Sequence, residues 1–316
     1  MRYLITGGAG FIGSHLAEYL LKQGHFVRVL DNFSSGKREN LSFTKELPPT
    51  KFELIDGDIR DKSACEKSCL GIDYVLHQAA LRSVPKSMKD PQSYNDVNIN
   101  GVLFMLQAAL KAGIKRFVFA SSSSVYGDTD KIPEKEKDYP RLISPYALTK
   151  LAGEYYCRVF SQSFGLETVS LRYFNVFGCR QALDDEYAVV IPKFIYSILH
   201  DQQPPVFGTG KQSRDFTYID NVVQANVLAA TTAGIREAVF NVANGKDHTI
   251  LELVDLLNRI LEKDSKPVFL PLRPGDVFRT CADISSIRKV LGYKPKVGFE
   301  EGLRRTAAWF SKSLKQ

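Results

Sequence analysis

Thr6-Gly7-Gly8-Ala9-Gly10-Phe11-Ile12-Gly13 follows a short apolar run and opens a stretch of helical period, and its reading decides the fold. Glycine permits a tight turn and a close approach of the main chain to a ligand, because no Cβ stands in the way. A helix that starts at such a turn offers unpaired N–H groups and its positive dipole end to an anion. Gly8, Gly10 and Gly13 fit G-x-G-x-x-G, and Gly7, Gly10 and Gly13 fit the related G-x-x-G-x-x-G. Either pattern alone is weak, since an ordinary glycine turn also produces it. Here a strand precedes, a helix follows, and Asp31 closes the next apolar run, which is the context a dinucleotide turn requires. A carboxylate at Asp31 accepts bonds from the adenosine ribose hydroxyls and repels a 2′-phosphate, so NAD is favoured over NADP. Lys37 and Arg38 follow soon after and are read as solvent-facing or near the adenine. Asp58-Ile59 is placed to meet the adenine, a loop-capping aspartate being an equal alternative.

Outward from that loop, short β-branched runs alternate with amphipathic stretches over residues 1–175, the pattern of a parallel sheet flanked by helices. Strands are predicted at Tyr3–Thr6, Phe26–Asp31, Phe52–Asp56, Tyr74–Gln78, Phe117–Ser121 and Thr168–Arg172, with helices opening near Phe11, Ser63, Asn95 and Pro145. The stretch Tyr94–Ala112 is apolar on more than one face and therefore needs a second surface, either within the subunit or on another copy. Past Asn175 the pieces shorten: helices at Ile191–His200, Ile219–Ala230, Ile250–Leu261 and Ile284–Leu291, strands near Pro205–Phe207 and Val239–Asn241. The expected architecture is a Rossmann-type α/β domain, 1–175, with a smaller substrate-binding α/β part, 176–316, partly interleaved with it.

The 316 residues are 44% hydrophobic and 24% charged, ordinary for a globular enzyme. No apolar run approaches a membrane span, and a strand from Arg2 leaves no room for a signal peptide, so a cytoplasmic protein is expected. The five cysteines find no Cys/His set of zinc spacing; reduced structural thiols and no metal are expected. A net charge of +7 suits anionic small molecules, and its even spread argues against nucleic acid.

Ser144-Pro145-Tyr146-Ala147-Leu148-Thr149-Lys150 carries the chemistry. Tyr146 and Lys150 lie four apart on a helical stretch and project from one face. An ammonium beside a phenol of ordinary pKa about 10 favours the phenolate, making a base for a hydroxyl that is losing its hydride. Tyr-x-x-x-Lys alone is common by chance. It gains weight from the glycine loop and from the serine run Ser121–Ser124, which otherwise only ends a strand.

Taken in order, the glycine loop, Asp31-Asn32, Gly57-Asp58-Ile59, His77–Ala80, Ser121–Gly127, Tyr146/Lys150 and Leu171–Asn175 resemble the extended short-chain dehydrogenase/reductase family, specifically its NAD-dependent UDP-hexose 4-epimerases. Arg214–Asp220 and Arg273–Asp276 match the nucleotide-sugar elements of that family. The runs His77–Pro85 and Tyr187–Pro192 look most like UDP-N-acetylglucosamine 4-epimerases of surface-polysaccharide pathways. The resemblance implies Tyr146 as base, Lys150 on the nicotinamide ribose and Ser122 on the sugar 4-oxygen, with Ser123 and Ser124 lining the pocket. It implies NAD contacts from Gly7, Gly10, Phe11, Ile12, Asp31, Asn32, Asp58, Ile59, Gln78 and Tyr173, besides Tyr146 and Lys150. Asn175, Arg214, Arg273 and Asp276 would hold the UDP, and Arg82, Ser83, Val190 and Thr280 are counted with the substrate. Bland readings stand beside these: Arg214 paired with Asp215 on the surface, and Asn175 as a turn residue.

The implied reaction is reversible oxidation at C4 to a transient 4-keto sugar that turns over in the pocket. Ser121-Ser122-Ser123-Ser124-Val125-Tyr126-Gly127 carries hydroxyls and no carboxylate, so it lacks the acid/base pair of the sugar dehydratases and the glutamate of the decarboxylating relatives. Thr280 stands where some relatives have a bulky aromatic, leaving room for an N-acetyl group. UDP-GlcNAc/UDP-GalNAc is therefore the expected pair, with UDP-Glc/UDP-Gal as an additional one. Arg82, in place of glycine or lysine, keeps a UDP-uronic acid open, and Ala182-Leu183 departs from the Asp-Pro of relatives. A silent NAD-binding sensor is the alternative of another class, opposed by the intact Tyr/Lys/Ser set. An RNA-binding role lacks the interleaved aromatic and basic surface motif it would need. The resemblance also implies a homodimer through Tyr94–Ala112 and the helix carrying Tyr146.

Overall fold

Parallel strands buried on both faces need near-continuous apolar runs, and the chain supplies them in series. The computed structural model describes residues 1–183, 190–272 and 277–314. In chain order come β1 (Arg2–Thr6), α1 (Phe11–Lys22), β2 (Phe26–Asp31), β3 (Phe52–Asp56), α2 (Lys62–Cys69), β4 (Tyr74–His77), α3 (Val84–Lys89), α4 (Pro91–Asn95), α5 (Gly101–Lys111), β5 (Arg116–Ser122), α6 (Pro145–Phe164) and β6 (Thr168–Tyr173). There follow β7 (Val176–Phe177), α7 (Val190–Leu199), β8 (Pro205–Phe207), β9 (Ser213–Arg214), β10 (Thr217–Tyr218), α8 (Ile219–Thr231), β11 (Glu237–Val242), β12 (His248–Thr249), α9 (Ile250–Leu261), β13 (Val268–Leu270), β14 (Arg279–Thr280), α10 (Ser285–Leu291) and α11 (Phe299–Ser313).

Seven strands form one sheet in the order β3-β2-β1-β4-β5-β6-β11, every pair parallel. The order reverses between β1 and β4, which opens a crevice beyond the carboxyl ends of the strands. The six predicted strands of residues 1–175 match to within a residue. The run expected at Val239–Asn241 lies within β11, so a strand from beyond Asn175 completes the sheet.

Alternation along β1 sends Tyr3 and Ile5 into one core and Leu4 into the other, the two-residue period of a pleated strand. Each such fully buried side chain contributes about 1.5–3 kcal/mol. Cys65 and Cys69 face the smaller core from α2, and burial pushes both thiols up to about 12. All five cysteines are free. Among the described residues no helix is long and apolar enough to cross a membrane.

Several features differ from the sequence expectation, the unforeseen short strands β7, β9, β10 and β12–β14 among them. The stretch 94–112 passes through a π-helical turn, Asp96–Asn100, between α4 and α5. α3 was missed because six residues opened by Ser83 and Pro85 are too few to show a period. α11 was missed although its stripe of Phe299, Leu303, Ala307 and Phe310 is buried.

One close approach places the site. α6 crosses β5 with Gly153 over Phe119, where a Cβ would lie 2.4 Å from the ring carbon Cζ. Any larger residue there would have to displace the buried ring or the helix, and with the helix the side chains it presents to the sheet.

Candidate active site

At the head of α1 the glycines are needed for two separate reasons. Gly7 has φ +66°, and a Cβ on it would lie 2.8 Å from the Ala79 nitrogen; a Cβ on Gly13 would lie 2.2 Å from the Gly7 carbonyl. No side chain caps Gly10, so the first N–H groups of α1 are left for an anion. This cradle fits a dinucleotide diphosphate. Phe11 and Ile12 pack partly against the core behind it.

Asp31 ends β2 and is buried. Its Oδ2 accepts from Ala9 N at 2.8 Å and its Oδ1 from Phe33 N at 2.8 Å, so the acid also braces the glycine loop. Burial pushes its pKa up and the two N–H bonds oppose this. Asn32 donates to Asp58 Oδ2 at 2.8 Å. Arg60 grips the same carboxylate at 2.7 Å and, chiefly through that bond, holds its pKa down to about 2. Arg38 pairs with Asp56 at 2.6 Å and lies over the Phe33 ring. The Ile59 side chain is buried against Gly101.

Across the crevice, Gln78 Nε2 lies 3.2 Å from Tyr173 Oη and 3.1 Å from Asn226 Oδ1, and Tyr173 Oη lies 3.0 Å from that oxygen. Asn226 was missed by sequence reasoning. Its only signal was a polar residue on an otherwise apolar helix face.

α6 starts at a Ser144 cap with Pro145 in its first turn, and its period aims Tyr146 and Lys150 at the sheet. Lys150 is buried; its Nζ donates to Ala120 O at 2.9 Å and sits 5.9 Å from the Tyr146 ring centre. Tyr146 stands edge-on to Tyr94, 6.3 Å between ring centres. Ser122 closes β5 and accepts from Ser124 N at 3.2 Å and Ser124 Oγ at 3.0 Å, while Ser123 opens the following 3-10 turn. Burial pushes the Tyr146 phenol up, with hydrogen bonding to Ser122 and the charge of Arg82 pulling it back. The depression by Lys150 expected from the spacing is therefore absent in the chain alone. Burial pushes Lys150 itself down to about 7, which divides it between ammonium and amine near neutrality.

Arg82 and Ser83 sit on a loop held by Asn98, which accepts from Leu81 N at 2.8 Å and donates to Leu81 O at 2.9 Å. Asn98 also donates to Thr149 Oγ1 at 3.0 Å, tying that loop to α6. Ser83 caps α3, and its carbonyl accepts from Tyr94 Oη at 2.6 Å.

On the carboxyl-terminal side, Asn175 has φ +35° and donates to Asp215 O and Thr280 Oγ1, both at 3.2 Å. Arg214 stands opposite Thr280 in the β9–β14 pair. Asn175, Arg214 and Thr280 are thus brought together. Val190 opens α7 and packs partly on the core. Arg273 and Asp276 lie outside the described residues, as does the start of the Tyr187–Pro192 run.

Asp215 is fully buried and does not form the surface pair with Arg214 that the bland reading allowed. It accepts from Asn244 N at 3.0 Å, Gly245 N at 2.9 Å and Ala282 N at 3.3 Å, and burial still pushes it up to about 7. Glu134, also buried, accepts from Cys281 N at 3.1 Å and is pushed by burial up to about 8. Among the described residues its Oε1 has no partner. These two carboxyls hold successive N–H groups just past Thr280.

Because the pKa of Glu134 rises from 4.5 to about 8 on folding, the folded state binds a proton between those values that the unfolded chain has released. Stability therefore falls as pH rises through that window. Glu134→Gln is expected to flatten this fall, measured as the change in Tm between pH 5 and pH 8; a slope equal to that of the wild type refutes the assignment.

The NAD dependent epimerase/dehydratase family matches residues 3–243. A UDP-N-acetylglucosamine 4-epimerase from Methanobrevibacter ruminantium M1, solved in complex with UDP-N-acetylmuramic acid, is 42% identical with a TM-score of 0.93, covering 99% of this chain and 98% of that one. The UDP-glucose 4-epimerase of Thermotoga maritima, solved with UDP-glucose, is 39% identical with a TM-score of 0.93, covering 99% of this chain and 100% of that one. A UDP-glucuronate 4-epimerase of Thermodesulfobacterium geofontis is 33% identical over 318 residues, 99% of this chain and 97% of its own. With the glycine cradle, the serine turn and the Tyr146/Lys150 face all in place, the chain belongs to the NAD dependent epimerase/dehydratase family.

Proposed function

We propose that this protein is an NAD-dependent UDP-sugar 4-epimerase that interconverts UDP-GlcNAc and UDP-GalNAc, with UDP-Glc/UDP-Gal as an additional pair. The observation that carries the reading is the meeting of Tyr146, Ser122 and Lys150 at one end of the sheet, beside a serine turn without a carboxylate. Bound NAD supplies the site that takes up the C4 hydride and returns it. Tyr146 accepts the 4-hydroxyl proton and returns it to the 4-oxygen once the sugar has presented its other face. Ser122 bonds the 4-oxygen, and Ser123 and Ser124 line the turn beside it. Lys150, anchored on Ala120 O, holds the nicotinamide ribose.

The glycine cradle with Phe11 and Ile12, Asp31, Asn32, Asp58, the main chain at Ile59, Gln78 and Tyr173 would hold the rest of the dinucleotide. Asn175, Arg214, Arg273 and Asp276 would grip UDP, arginine suiting a phosphate because its planar fork pairs two oxygens at once. Binding strength placed on this non-reacting half leaves the hexose free to turn.

Thr280, small and bonded to Asn175, leaves space beside the sugar C2 substituent. A second reading, a UDP-uronic acid 4-epimerase, is favoured by the Arg82 charge reaching Tyr146. A homodimer is also proposed. Leu148, Tyr155 and Val159 are 53%, 55% and 48% exposed along α6, beside α5, an apolar stripe fit for the same face of a second copy.

Incubation with a panel of UDP-sugars, read by NMR, tests the function: UDP-GalNAc is expected from UDP-GlcNAc, a uronic acid preference transfers the assignment to the second reading, and no turnover of any sugar refutes both. Tyr146→Phe is expected to lower kcat by about a thousandfold, and ordinary turnover would sink the base assignment. Thr280→Tyr is expected to abolish the N-acetylated reaction while sparing UDP-Glc; equal loss for both pairs removes the gate. For the dimer, light scattering at micromolar concentration is expected to give twice the chain mass, and Val159→Glu about half of that. A wild type with the mass of one chain rules the dimer out.

A further inference from the structure

Tyr146, Lys150 and Glu154 follow one another at four-residue spacing on the sheet side of α6. The first two belong to the site already described. Glu154 reaches neither cleft nor solvent, being 6% exposed, and its partners lie on two neighbouring strands, β5 and β6. The Ser121 hydroxyl, one residue before Ser122, donates to Glu154 Oε1. Arg172 of β6 donates from Nε to Oε1 at 2.9 Å and from Nη2 to Oε2 at 2.7 Å. Its Nη1 donates to Glu136 O at 3.2 Å, and its guanidinium lies over the Tyr126 ring at the far end of the serine turn. Ser121 and Arg172 are themselves register partners across β5 and β6.

A buried ion pair is weak grounds for stability, since apolar residues of similar volume often do as well. What this one does that an apolar pair would not is hold a particular hydroxyl in a particular direction. Ser121 points inward to the carboxylate, and strand alternation then turns Ser122 outward to the crevice. Without the Ser121 anchor, the direction of the Ser122 hydroxyl rests on the ladder pairing with Tyr173 and on the contacts with Ser124 and Tyr146.

Within the 4-epimerase reading on which this rests, we propose that Glu154, clamped by Arg172, is a positioning residue that sets Ser122 against Tyr146 by anchoring the Ser121 hydroxyl. Ser122 in turn is one of the two groups that bring the Tyr146 phenol down from the high pKa of its buried surroundings. Misplacing it impairs the chemical step more than the grip on UDP.

The test uses the NAD-loaded enzyme and three variants: Ser121→Ala, Ser121→Thr and the double variant Glu154→Leu/Arg172→Met, which removes both charges together. Two quantities are read, steady-state kcat and KM, and the ultraviolet titration of the Tyr146 phenol. The latter is taken as the difference between each protein and the same protein carrying Tyr146→Phe. Ser121→Ala and the double variant are expected to lose about tenfold to a hundredfold in kcat, with KM within about twofold, and to titrate Tyr146 at higher pH. Ser121→Thr keeps the hydroxyl and is expected to restore both. An unmoved Tyr146 titration in Ser121→Ala overturns the proposal whatever kcat does, and it decides the matter even if the double variant fails to fold. A wild type inert toward every UDP-sugar would overturn the functional reading instead, while the titration still judges the positioning role.

Discussion

The contact between Gly153 and the Phe119 ring, where a Cβ would stand 2.4 Å from the nearest ring carbon, governs the whole working end of this molecule. It lets α6 lie flat on β5. At that separation Lys150 reaches the Ala120 carbonyl at 2.9 Å, and Glu154 meets Ser121 and Arg172. Helical period and strand alternation do the remaining sorting. Every fourth residue of the helix faces the sheet, and every second residue of the strand faces back. One close approach thus serves Tyr146, Lys150 and the turn that carries Ser122.

Burial and hydrogen bonding compete at each titratable group, and the winner differs from group to group. At three interior groups burial wins: Lys150 falls to about 7, Glu134 rises to about 8 and Asp215 to about 7 despite three N–H bonds, whereas at buried Arg172 the Glu154 carboxylate prevails and the pKa rises. At the rim of the crevice the partner wins, as Arg60 does at Asp58. Tyr146 stands between these regimes. Protein atoms crowd it enough to oppose the phenolate, yet Ser122 and Arg82 are near enough to favour it. A phenol so placed responds to any charge added beside it, which suits the role of base proposed for it.

The carboxyl-terminal residues join this frame as structural members. β11 pairs with β6 as the seventh strand, and β14 pairs with β9 so that Thr280 and Arg214 face one another across two strands. Glu134 and Asp215 pin the chain just beyond Thr280 at Cys281 and Ala282. The threonine therefore stands on a short strand whose next two N–H groups are held by buried acids, a rigid mounting.

Local pattern by itself determined the strands of the sheet, the glycine turn before α1, the acid at the end of β2 and the shared face of Tyr146 and Lys150. Each of these is a matter of neighbours a few residues apart, which period and turn chemistry encode. α11 belonged to that legible class as well, its stripe being plain in the order of residues. Tertiary structure alone decided that Gln78 meets Asn226 across 148 positions of chain, that Glu154 serves Ser121, and that Asp215 turns inward from Arg214. It also decided that burial lifts the Tyr146 phenol where helix spacing promised depression. Solvation and long-range partners depend on which distant segments close over a side chain, and no count along the chain contains that information.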